Sequence, residues 1–127
     1  MHSDELSGTW NCISATINGQ ALSDDVTSSL RLTLSGTQFR THIRGVVLFD
    51  STHIIDSTKS PKQIDMIGTE GSLEGRPALG IYELDSDRLT LCYVMPGGDR
   101  PMQFASEPNS GAYLTIWRKE RLANDTA

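Results

Sequence analysis

The chain is written in short runs that alternate with a period of two. Leu30, Leu32 and Leu34 are interleaved with Arg31, Thr33 and Ser35, and Phe39, Thr41 and Ile43 with Arg40, His42 and Arg44. That period places successive side chains on opposite faces of a strand, so each run reads as a strand with one buried face. Turn residues punctuate the runs: Asn18-Gly19, Ser35-Gly36-Thr37, Gly45, Ser60-Pro61, Asp85-Ser86-Asp87-Arg88 and Pro96-Gly97-Gly98-Asp99. Between them the sequence predicts strands over Trp10–Ile17, Leu30–Ser35, Phe39–Arg44, Val46–Phe49, His53–Ile55, Gln63–Ile67, Gly80–Leu84, Leu89–Val94, Met102–Ala105 and Ala112–Trp117. Ser23-Asp24-Asp25 predicts the capped start of one short helix running to about Leu30. Short strands at even spacing define an all-β sandwich or barrel, and the lack of an internal repeat sets aside propellers and solenoids.

At 127 residues the chain fits one domain, with flexible ends expected at 1–5 and 123–127. Hydrophobic residues make up 37% and charged residues 21%, a globular balance. The net charge of −5, with no run of Lys or Arg, speaks against a nucleic-acid partner. No apolar run approaches the roughly 20 residues that span a bilayer. Met1-His2-Ser3-Asp4-Glu5 lacks the basic and apolar regions of a secretory signal, so a soluble, cytoplasmic protein is expected. Cys12 and Cys92 stand far apart without a CxxC or a flanking His, and are expected to be reduced and buried.

A closer likeness lies in the order of several stretches. They are Gly8-Thr9-Trp10, Asn18-Gly19, Gly36 with Phe39, Lys59-Ser60-Pro61-Lys62-Gln63-Ile64-Asp65 and Gly80-Ile81-Tyr82-Glu83-Leu84, followed by Asp87 to Cys92, Arg100-Pro101 and Phe104-Ala105-Ser106. They run in order from Gly8 to Ser106, and over roughly residues 6 to 120 the chain resembles the lipocalin-like family of bacterial domains first collected from planctomycetes. It departs from the family pattern at Val47 to Phe49, where a strand usually ends on Tyr. The resemblance implies a single antiparallel lipocalin-like (calycin) β-barrel of about eight strands with one short helix, and no settled activity. It also implies that the first and last strands are neighbours, with the G-x-W indole of Trp10 covered by a terminal cation, here Arg118.

The hairpin at 80–94 gives the candidate site. If Leu84 pairs with Leu89, then Tyr82 faces Leu91, and Tyr82, Leu84, Leu89, Leu91 and Tyr93 share one face. That face is the natural lumen, and its phenols suit a small, partly apolar ligand. Arg100, on the loop leaving the same strand, is expected at the mouth as a clamp for an anion, or else paired with a loop acid such as Asp99 or Glu107. The ligand-binding set is therefore Tyr82, Tyr93, Arg100 and Leu91. Lys62 and Asp65 are expected to fix their loop. A nucleophilic set of Cys92, His53 and Asp56 or Asp65 has no supporting motif. Glu70, Glu74, Glu83 and Asp87 lack metal-ligand spacing, so no metal and no cofactor are expected. The leading function is a binding module. The rivals are a hydrolase, cyclase or isomerase on the same barrel, and an interaction protein in which Val46 to Phe49 forms an edge or homodimer contact.

Overall fold

The computed structural model describes residues 6–68 and 75–120, and nine strands and one helix are found there. In chain order they are β1 (Gly8–Ile17), β2 (Gln20–Ala21), α1 (Asp24–Thr27), β3 (Leu30–Ser35), β4 (Gln38–Ile43), β5 (Val46–Asp56), β6 (Lys62–Gly68), β7 (Pro77–Asp85), β8 (Arg88–Val94) and β9 (Ala112–Lys119). From β3 to β9 each strand pairs antiparallel with the next, β1 pairs with β3, and β9 returns to β1. The result is a closed eight-stranded antiparallel barrel, with β2 as a two-residue addition beside the end of β1. Tight turns make this order cheap: Ser35 pairs with Gln38, and Asp85 with Arg88, across two residues each. Gly36 and Ser86 hold the positive φ that such turns need.

Alternation sets what faces inward. Leu30, Leu32 and Leu34 are buried on β3, and Ile64 and Met66 on β6, all within one core cluster. The β7–β8 register is the expected one, with Leu84 opposite Leu89, Tyr82 opposite Leu91 and Ile81 opposite Cys92. Val46–Phe49 and His53–Ile55 are one strand rather than two. Asp50 and Ser51 stay paired because Arg40 reaches Asp50 across the outer face at 3.1 Å and Ser51 lies opposite Phe39. Helix α1 is shorter than expected. Ser23 caps it by accepting from the Val26 N–H, and the chain turns into β3 after Ser28, so Leu30 joins the sheet alternation.

Met102–Ala105 is not a strand. The segment crosses the outer wall, where Phe104 packs on a second cluster formed by Ile81, Cys92, Val94 and Ala112. Cys92 donates there to the Ala105 carbonyl. The expected flexible ends, and the Glu70 and Glu74 of the 69–74 segment, lie outside the described residues. No described helix is long and apolar enough to cross a membrane.

One end of the barrel is shut by Trp10. Its indole is fully buried and donates to the Leu6 carbonyl at 3.0 Å. The cation on the ring is Lys119, with Nζ 5.7 Å from the ring centroid, and not Arg118, which is exposed. Period two explains the correction: Trp117 points inward, so Arg118 points out and Lys119 in, directly opposite Trp10 in register. Gly8 leaves the lysine its path, since a Cβ there would stand 2.8 Å from Lys119 Cε.

Candidate functional site

At the other end the barrel holds a cavity of about 300 Å³. Ala15 and Ile17 of β1 supply one wall, and Tyr113, Thr115 and Trp117 of β9 the next. Val26 of α1, with Leu22 and Leu30 on either side of the helix, forms the cover. Thr41, Leu48 and Phe49 close the far side. This volume is at the small end of ligand pockets and about twice the size that admits benzene. The lining carries no charged side chain among the described residues. Its polar groups are the hydroxyls of Thr41, Tyr93, Tyr113 and Thr115, and one of these is occupied: the Trp117 indole donates to Thr115 Oγ1 at 2.8 Å.

Tyr93 lines this cavity and stacks on Tyr113, with ring centroids 5.1 Å apart. The space it needs comes from Gly80 across the strand pair, where a Cβ would meet Tyr93 Cβ at 2.7 Å. Burial pushes the Tyr93 phenol well above its usual range, and neighbouring Tyr113 adds to this, so it is a neutral hydrogen-bonding group. Tyr82 and Leu91 also face inward, but they are buried in the packed core below the cavity and do not line it.

Arg100 is placed elsewhere. Its Nη1 donates to the Gly80 carbonyl at 2.8 Å and lies 2.7 Å from Asp65 Oδ1. Asp65 alternates with the inward Ile64 and Met66, so this pair sits on the outer wall, separated from the cavity by the sheet. The loop that carries Arg100 folds back along the outside because Phe104 covers the outer apolar cluster. Asp65, expected to hold its own loop, is thus the anchor of a distant one. No arginine stands at the cavity among its lining residues, and the exposed residue there is the apolar Leu48.

The thiol–imidazole set is not assembled. Cys92 belongs to the outer cluster, while His53 faces inward on β5. Both cysteines are unpaired and buried, and burial pushes the Cys12 thiol up to about 11 and raises Cys92 as well, so neither is a thiolate at neutral pH. Among the described residues no three of His, Cys, Asp and Glu gather where a metal could sit.

The sequence reading weighed His53 only beside Cys92 and did not place it, or Ser51, in the lumen. Ser51 and His53 both face the interior and are 0% and 3% exposed. Strand alternation could have placed them there, because Phe49, Ser51, His53 and Ile55 share a parity. Burial lowers the His53 pKa, opposed in part by the Thr37 and Gln38 carbonyls beside the ring. Below about pH 6.5 the unfolded chain therefore binds a proton that the folded chain refuses. Stability is complete above that pH and falls as pH drops toward the lower folded value, by at most about 1.4 kcal/mol per pH unit. Urea unfolding at pH 7 and pH 5.5 checks this: His53→Phe should lack the extra loss that the parent protein shows.

No family model, no curated protein and no solved structure matches the chain.

Proposed function

We propose that the protein is a lipocalin-like binding module that holds a small, neutral, largely apolar molecule in its lumen. The observation that carries this is the uncharged cavity of about 300 Å³ at one end of a barrel whose other end is plugged by Trp10. Close-packed interiors leave few spaces larger than a water molecule, and ligand pockets begin at about this volume. An anion is disfavoured, because the guanidinium that would pair with it is held by Asp65 on the outer wall. Aromatic rings of Phe49, Tyr93, Tyr113 and Trp117 favour a flat ligand.

The test is titration with 1-aminoanthracene, a neutral fluorophore whose emission rises in an apolar site. Val26 lies on the partly exposed helix that covers the cavity, so Val26→Trp fills the space with little strain on the sheet. It should weaken binding by about tenfold or more. Arg100→Ala should leave binding unchanged. Absence of binding by the parent protein, or a larger effect of Arg100→Ala than of Val26→Trp, would overturn the reading.

A further inference from the structure

Two polar side chains point into the barrel with hydrogen-bonding capacity left unmet. Neither the Ser51 hydroxyl nor either ring nitrogen of His53 has a hydrogen-bond partner. Leaving such groups buried and unpaired is costly, and native proteins do so seldom and for a reason. The Thr37 and Gln38 carbonyls beside the ring can only accept, so they could at most take its one N–H. The second nitrogen of a neutral imidazole is an acceptor and still lacks a donor.

This pair lies directly beneath the cavity. Phe49 lines the far side of the cavity, and Ser51 is the next inward residue on the same strand, one step deeper in the barrel. Ser51 sits opposite Phe39, whose ring centroid is 6.0 Å from that of Phe49 and 6.3 Å from that of His53, edge-on to both. A single aromatic ring thus stands between the apolar space and the unpaired groups.

We propose that Ser51 and His53 are the polar terminus of the lumen site, and that the ligand is an apolar molecule bearing one neutral hydroxyl group. The inference rests on the binding reading above and specifies its ligand. A hydroxyl both donates and accepts, so it can donate to an imidazole nitrogen and accept from the Ser51 hydroxyl. A carboxylate has no donor to offer and would be stripped of water in an uncharged lumen. A hydrocarbon would leave both side chains as they are. Phe39 closes the way between them in the unliganded barrel, so the hydroxyl meets these groups when the Phe39 ring turns aside, while the apolar body stays against Phe49.

The experiment compares 2-naphthol with 2-methylnaphthalene, which are close in shape. Transfer out of water alone favours the methyl compound. The parent protein should nonetheless bind 2-naphthol about tenfold more tightly. Ser51→Ala should bring that ratio toward one. It should also make the unliganded protein more resistant to urea, because it deletes an unpaired hydroxyl. A hydroxyl with a merely structural role would give the opposite change. The ¹⁵N resonances of the His53 ring give a readout that needs no variant: 2-naphthol should shift them and 2-methylnaphthalene should not. Equal affinities with unshifted His53 resonances overturn this inference and leave the cavity reading intact. Failure of both compounds to bind overturns the two together.

Discussion

Replacing Trp10 with alanine should cost the barrel about 3–5 kcal/mol, the range for truncating a buried aromatic in a core that cannot collapse around the gap. The indole has no exposed surface and donates its N–H to Leu6, itself fully buried. Its removal strips the floor from the barrel, orphans the Leu6 carbonyl and leaves Lys119 without the ring beneath it. A small domain holds only about 5–15 kcal/mol in total, so the variant is near the edge of folding. Lys119→Gln is the contrast. It removes the charge over the ring but keeps most of the stem, and should cost about 1 kcal/mol or less. Urea unfolding followed by near-ultraviolet circular dichroism measures both. If the two substitutions cost the same, the indole is not what closes this end.

Phe39→Ala should be as damaging, again by about 3–5 kcal/mol, for a different reason. Phe39 is 1% exposed and stands between Phe49 and His53, with Leu34 opposite it on β3. The void left by its ring would join the existing cavity to the layer holding Ser51 and His53, and each Å³ that fails to collapse adds about 24 cal/mol. Such a space is still mostly apolar and should take up benzene, as engineered core cavities do. The expected result is a protein of lower midpoint in urea that regains part of the loss when saturated with benzene, by mass action. A variant that loses little stability and gains nothing from benzene would show that the ring fills no space of consequence.

The barrel was legible because most of its signals are local. The β7–β8 register followed from one short turn and from the alternation of Tyr82, Leu84, Leu89 and Leu91, and it fixed which face these residues share. What was not legible depended on a loop's path through space. Arg100 follows Tyr93 by seven positions, which suggests the rim, but the loop between β8 and β9 folds down the outer wall onto Phe104's cluster. The partner that fixes it, Asp65, lies on β6, and no spacing in the sequence announces that contact. The exchange of Lys119 for Arg118 is of another kind. It follows from parity alone once Trp117 is taken as an inward residue. Tyr82 shows a further limit: alternation gives the face but not the depth, so a lumen-facing phenol can be core filling rather than pocket wall.

The way the barrel closes also governs how it can be made. Every strand pair but one joins segments close in the chain, whereas the β1–β9 seam joins residues such as Cys12 and Trp117. Closing that loop carries the largest loop-closure entropy of any pairing in the barrel. Until β9 is synthesised, β1 and β8 are the two raw edges of an open, twisted sheet, and both present unpaired backbone groups to other chains. A single strand, Ala112–Lys119, then covers both at once. On the ribosome the growing chain is therefore most exposed to aggregation just before its last strand emerges, and overproduction at lower temperature, or with a holding chaperone, acts on that interval.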